Sequence, residues 1–297
     1  MYYFIKLCRK RQSHYLYKTY ILLLMTLLGI SHYRTRYNKR VVSLIQKNVT
    51  IKNKYNKNLS AIIEVPKEDA KDFIIISHCF TCSKIYKLYN NISKTLVENG
   101  YGVVRYDVMG LGDSEGDFSD TSFTTNVEDL ITVYDYISEN YSKPSYLFGH
   151  SLGSLVSIKV ANMLDGIKGV VTVGSPYNFD NLIRLFSNYE EELIEKDNMV
   201  VNLLGRNINI GLDYLKDLRG ESVDEIINNF KKSIIIFHSN SDRIVPYEHG
   251  LKLFNLINSE KSFISLNNVD HLVANKEDAK YIGDIIYTWL EQFKYKL

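Results

Sequence analysis

At 297 residues, 45% of them hydrophobic and 24% charged, the chain has the balance of a globular protein with a sizeable core: one large domain, or one domain with an insertion. A formal net charge of +2 excludes a strong pull toward nucleic acid, and three cysteines are too few for a disulfide framework. The first segment, residues 1–45, is basic. Arg9, Lys10, Arg11 and Lys18 precede an apolar stretch at 20–30, and Arg34, Arg36, Lys39 and Arg40 follow it. This looks like the n- and h-regions of a signal peptide, yet no small-x-small cleavage site follows Ile30. The stretch is also shorter than the roughly 20 residues of a spanning helix. It reads as an uncleaved anchor, an interfacial helix or translation from a misplaced start, so the expected location is cytoplasmic or membrane-associated.

Residues 46–297 read as alternating strands and helices. A hairpin is expected from 49–51 and 59–65, joined by the polar turn 53–58. Residues 73–77 are a short continuous apolar run, as a buried parallel strand should be. A helix over 84–98 (Ile85, Leu88, Ile92, Leu96) stops at Asn99-Gly100. Strand 102–106, helix 126–139, strand 145–148, helix 151–164 and strand 169–173 follow. Such alternation implies a parallel sheet with helices on both faces. The rhythm breaks after Pro176: residues 177–230 hold charged helical patches (189–196 and 223–230) and no convincing strand, which predicts a helical cap. It resumes with strand 234–237, helix 248–257, strand 262–266 and helix 278–293. Cys79 and Cys82 form a C-x-x-C that reads as a packing pair. They have neither a βαβ unit of their own nor a second ligand pair for zinc.

The chemistry concentrates at Gly149-His150-Ser151-Leu152-Gly153, a G-x-S-x-G between an apolar strand and a small-residue helix. That context predicts a nucleophile elbow, a sharp turn that exposes the Ser151 hydroxyl above the sheet. A serine needs a base, and in this fold the partners follow in the order Ser, Asp or Glu, His. Strand 234–237 leads to Asp242 and strand 262–266 leads to His271, both beyond carboxyl ends of strands, where catalytic groups of open α/β sheets sit. Asp242 is expected to orient the imidazole and His271 to move the proton, with Asp270 as the rival acid. Of the other histidines, His150 is expected to face away from the nucleophile, His238 to lie in the core behind the acid loop, and His249 to be solvated. The oxyanion needs two backbone N–H donors. Leu152 and, in the loop after strand 73–77, Phe80 are the candidates. Gly110-Leu111-Gly112-Asp113-Ser114 reads as a structural turn beside the site, since no P-loop lysine follows.

The loop His78-Cys79-Phe80-Thr81-Cys82-Ser83-Lys84 resembles the H-C-F-T-C-S-K loop of a group of bacterial α/β hydrolases, often fused to an OsmC-like domain and grouped with the S33 serine aminopeptidase-like hydrolases. Arg105-Tyr106-Asp107, Gly110-Leu111-Gly112, Ser114-Glu115-Gly116, Asn126-Val127-Glu128-Asp129-Leu130, the elbow, His238-Ser239 with Asp242, and Asp270-His271 agree with it, from about Val49 to Phe293. Ile85 stands where that group usually carries an acid. No OsmC-like sequence follows the last helix, so no peroxide-related role is expected.

The resemblance implies an α/β-hydrolase fold and hydrolysis of a carboxylic ester through an acyl-enzyme, with a small-molecule acyl ester as substrate and neither metal nor organic cofactor. The family's aminopeptidase label is poor evidence of peptide substrates. Two further readings stand beside the esterase. One is a membrane-associated lysophospholipase or monoacylglycerol lipase, motivated by residues 1–45. The other is a non-catalytic binding protein on the same fold.

Overall fold

The computed structural model describes residues 44–203 and 206–295. Strands β1 (Leu44–Lys52), β2 (Asn58–Pro66), β3 (Phe73–Ser77), β4 (Gly102–Tyr106), β5 (Tyr146–His150), β6 (Gly169–Val173), β9 (Ser233–Ser239) and β10 (Lys261–Leu266) form one sheet in the order β1-β2-β4-β3-β5-β6-β9-β10. From β4 to β10 all pairings are parallel, and β1 and β2 add an antiparallel edge. The strands β3 to β6 are buried along their whole length. Their side chains alternate between two core layers: Phe73, Ile75, Val104 and Leu147 enter one, and Ile74, Ile76, Val103 and Phe148 the other.

Helices α2 (Phe123–Asn140) and α3 (Leu152–Met163) cover the first layer, whereas α1 (Lys87–Glu98) and α9 (Lys276–Glu291) cover the second. Helix α8 (Tyr247–Leu256) lies between β9 and β10 in the chain. The doubly covered parallel sheet is the α/β-hydrolase arrangement expected above. Helix α2 starts three residues before the predicted Asn126 because Ser122 and Thr125 close a reciprocal capping box, with Thr125 N–H donating to Ser122 Oγ at 3.2 Å and Ser122 N–H to Thr125 Oγ1 at 2.8 Å.

The insertion between β6 and β9 departs from the expected all-helical cap. Besides α4 (Asp180–Phe186), α5 (Glu190–Lys196), α6 (Leu212–Gly220) and α7 (Val223–Asn228), it holds an antiparallel hairpin of β7 (Asn198–Leu203) and β8 (Arg206–Gly211). Asn198, Asn202, Asn207 and Asn209 lower the local strand propensity, which hid it. What forms it is the period-two burial of Val201, Ile208 and Ile210, set by pairing across the hairpin. The apolar stretch at 20–30 lies outside the described residues; among those described, no helix is long and apolar enough to cross a membrane.

Asp129 on α2 ties the β1–β2 turn to the loop after β4. It accepts from Asn53 Nδ2 and from Met109 N–H, both at 2.8 Å. Burial pushes its carboxyl up to about 6, against the pull of those two donors. A carboxyl whose folded pKa exceeds its unfolded value takes up a proton on folding, so its contribution is present at about pH 4 and is lost as pH rises through about 6. Between pH 4 and 7 the parent should lose up to about 3 kcal/mol of stability that Asp129→Asn does not lose, at 1.36 kcal/mol per pH unit. Denaturant unfolding at several pH values checks this, and equal pH slopes for the two proteins contradict it.

Candidate active site

The site is built on the turn from β5 into α3. Ser151 stands there at φ 54°, ψ −122°, a left-handed conformation that a residue with a Cβ adopts only when its surroundings impose it. Its N–H donates to Val173 O of β6 at 2.9 Å, and Ser154 Oγ closes on Gly149 O at 2.9 Å. The flanking glycines are sterically required. A Cβ on Gly149 would lie 2.3 Å from Gly153 O, and one on Gly153 would lie 2.4 Å from Ser77 O and 2.6 Å from His78 O. Helix α3 therefore packs its first turn directly on the carbonyls that end β3, which brings Ser151 beside the loop of residues 78–84.

Asp242 follows β9. Its Oδ1 accepts from the N–H groups of Ile244 and Val245, each at 2.9 Å, which fixes the carboxylate in the turn. Its Oδ2 lies 2.7 Å from His271 Nδ1, in the loop after β10. A carboxylate only accepts, so Nδ1 carries a proton, and in the neutral form of the ring Nε2 is the acceptor. Burial opposes ionisation of Asp242, but the hydrogen bond and charge of His271, with the two N–H donors, outweigh it and hold the carboxyl below its usual range. Gly174, at φ +58°, lets the chain after β6 pass close by, where a Cβ would sit 3.1 Å from His271 Nδ1.

Asp270, the other candidate acid, makes different contacts. It is exposed, and its oxygens accept from Leu272 N–H at 2.9 Å and Ala274 N–H at 3.3 Å, capping its own turn. The other histidines hold the frame. His78 bridges Cys79 O and Val108 N–H, His238 donates from Nε2 to Val245 O at 2.9 Å, and burial lowers the pKa of both rings. His249, expected to be solvated, is instead half-buried against Tyr177, whose N–H donates to its Nδ1 at 3.3 Å. The neighbouring Lys252 ammonium covers the Tyr177 ring at 3.9 Å, completing the packing that takes His249 out of water.

Ser151, Leu152, Phe80 and His271 all line one cavity of about 400 Å³. Its size is ordinary for a small-molecule site. The cap contributes Phe179, Leu182 and Leu185 to the wall, and the acid and base loops contribute Ile244 and Leu272. Arg243 is the one cation of the lining, which includes no carboxylate side chain among the described residues. The Phe80 ring packs edge-on against Phe118, Phe186 and Tyr214, so the cap steadies the loop that carries its N–H. No described residue takes the N–H of Phe80 or of Leu152. No group of three or more His, Cys, Asp or Glu side chains among the described residues is arranged to hold a metal ion.

Two features of this loop were not legible as such. Cys79 and Cys82, read as a packing pair, are buried as expected but also joined in a disulfide. The turn brings their Cα atoms to 5.3 Å, within reach of that bond. Behind them, Lys84 is buried with Asp107, donating from its backbone N–H at 2.6 Å and from Nζ at 2.5 Å, and Nζ also reaches Asp113 at 2.6 Å. Burial disfavours the ammonium, yet the two carboxylates outweigh it and raise its pKa. Asp107 also accepts from Asp113 N–H at 2.9 Å, and a Cβ on Gly112 would strike it at 2.2 Å. The glycine-rich turn is thus structural, as its sequence predicted: it wraps the carboxylate that holds the 78–84 loop.

The family model described as serine aminopeptidase, S33, matches residues 68–201. Among curated proteins, the Danio rerio lysophosphatidylserine lipase ABHD12 is 32% identical over 173 residues, which is 57% of this chain and 43% of that protein. The Homo sapiens protein ABHD12B is 31% identical over 169 residues, 55% of this chain and 43% of that one. The chain thus spans less than half the length of these relatives. Among solved structures, the esterase domain of a Rhodothermus marinus protein aligns at a TM-score of 0.68 with 30% identity, covering 84% of this chain and 98% of that domain.

The elbow contact gives a direct test. Gly153→Ala should destabilise the protein by about 3 kcal/mol or more, because the new methyl meets backbone oxygens rather than yielding side chains. Gly220→Ala, with nothing within 4 Å, should stay within about 0.5 kcal/mol of the parent. Denaturant midpoints decide, and similar values for the two variants contradict the packing described.

Proposed function

The chain belongs to the serine hydrolases of the α/β-hydrolase fold, and from that premise we propose that it cleaves carboxylic esters with Ser151 as nucleophile, His271 as base and Asp242 as acid. The observation that carries this reading is the 2.7 Å pairing of His271 Nδ1 with a carboxylate, in a ring that lines the same cavity as Ser151. With its proton held on Nδ1, His271 accepts the Ser151 hydroxyl proton at Nε2 as Oγ attacks the acyl carbon. The N–H groups of Phe80 and Leu152 receive the developing oxyanion, and Leu152 opens α3, whose positive end favours that charge. The C–O bond to the alcohol breaks, and His271 returns its proton to the departing oxygen. Water then repeats the sequence on the acyl-enzyme and releases the acid. The loop His78–Lys84 supports a place nearer the hydrolases that share its H-C-F-T-C-S-K text.

On a p-nitrophenyl ester, Ser151→Ala and His271→Ala should lower kcat by about 10⁶-fold, and Asp242→Asn by about 10⁴-fold. Asp270→Asn should lower it far less than Asp242→Asn. A kcat within tenfold of the parent in any of the three triad variants removes that residue from the mechanism.

A second reading, a lysophospholipid hydrolase, draws on Arg243. This exposed guanidinium shares the cavity wall with the apolar Leu182, Leu185 and Leu272 and with no carboxylate side chain. Such a wall suits an amphiphile with an acyl chain and an anionic headgroup, and the ABHD12 relatives carry the name lysophosphatidylserine lipase. Arg243→Glu should lower the kcat/KM ratio of a lysophosphatidylserine to a monoacylglycerol of equal chain length by about 10- to 100-fold, the range of a hydrogen bond to a charged group. An unchanged ratio excludes Arg243 from headgroup recognition.

A further inference from the structure

His150 precedes the nucleophile, and its ring is wholly buried behind the elbow. Nε2 lies 2.8 Å from the backbone oxygen of His271, and Nδ1 lies 2.9 Å from the hydroxyl of Tyr89 on α1. The carbonyl can only accept, so Nε2 carries the proton and Nδ1 is the acceptor. Tyr89 must then donate its hydroxyl proton to His150. A lone pair of the same oxygen receives the N–H of Cys79 at 3.0 Å. The result is an unbranched line of three hydrogen bonds from Cys79 N–H through Tyr89 and His150 to His271 O, with every direction determined.

The line begins one residue before Phe80 and ends on the backbone of the base. Each loop it joins is strained two residues further on: Thr81 has φ 64° and Val273 has φ 51°, left-handed values unfavourable for β-branched residues. Loops held in such conformations keep their shape only where neighbours over-determine them. The line cannot switch off near neutrality, since burial pulls the His150 pKa down to about 3 and raises that of the Tyr89 hydroxyl.

We propose that Tyr89 and His150 are positioning residues: as a neutral brace they hold the loop of the base in register with the loop of the Phe80 oxyanion donor, with Ser151 between them. This rests on the triad and oxyanion roles proposed above. The brace touches no substrate, so its loss should affect kcat rather than KM.

Tyr89→Phe removes one oxygen and keeps the ring that packs on Phe148 and Tyr86. It should lower kcat by about 10- to 100-fold with KM within threefold, the scale expected when reacting groups are misplaced by about 1 Å. His150→Phe should lower kcat at least as far. His150→Gln, which can still donate to the His271 carbonyl, should recover more of it than His150→Asn, whose amide ends nearer the Nδ1 position. Rates are normalised to the folded fraction from near-UV circular dichroism, so a variant that merely unfolds reads as unchanged and counts against the brace. If Ser151→Ala is inactive while Tyr89→Phe and His150→Phe keep kcat within threefold of the parent, the positioning role is overturned and the triad stands. If Ser151→Ala turns over like the parent, the triad itself fails.

Discussion

A serine held at φ 54° between β5 and α3 is the constraint on which the site depends. The strain is bearable because the turn is fastened on several sides: Val173 O takes the serine N–H, Gly149 lets Gly153 O approach, and Gly153 lets α3 sit on the last carbonyls of β3. None of these contacts is made by the serine side chain, which leaves its hydroxyl available. The same packing brings the 78–84 loop, the acid loop and the base loop to the carboxyl end of one parallel sheet. Substitutions at the glycines would therefore act on stability and on geometry together.

Around that turn the polar groups fall into three kinds. Asp242 keeps its charge against burial because His271 and two backbone N–H groups compensate it, as the acid role proposed for it requires. His78, His150 and His238 are pushed by burial toward the neutral form. They serve as fixed donors and acceptors that lock backbone carbonyls and amides. Lys84 with Asp107 forms a third element, a buried ion pair whose partners also bond to backbone. Removing one member would leave an uncompensated buried charge, so its effect would exceed the net worth of the pair.

Much of this architecture was legible in the sequence. The central strands are apolar along their whole length because both faces are covered, and that pattern identifies a parallel sheet without any contact information. The elbow was legible from its setting between such a strand and a small-residue helix, and Asp242 and His271 from chain order after two later strands. Less legible was whatever depends on partners distant in sequence. The β7–β8 hairpin gains its burial from pairing that its asparagines argue against. Helix α2 starts early because Thr125 takes the role usually given to Glu or Gln. Tyr89 lies inside the expected helix 84–98 with nothing in the sequence to single it out, and only the fold reveals that its hydroxyl joins two loops. Arg105 and Glu64, 41 residues apart, likewise become a buried pair only through the antiparallel pairing of β2 with β4. The basic segment 1–45 was distinct by composition, and its apolar stretch lies outside the described residues.

The proposed chemistry turns on the hydroxyl of Ser151 as the attacking nucleophile. Incubation of the full chain with a fluorophosphonate, followed by peptide mass mapping, tests it most directly. One stoichiometric adduct is expected, on the peptide containing Ser151, absent from Ser151→Ala and strongly slowed in His271→Ala. An adduct on another residue, or ester hydrolysis that persists in a protein the probe does not modify, would contradict it.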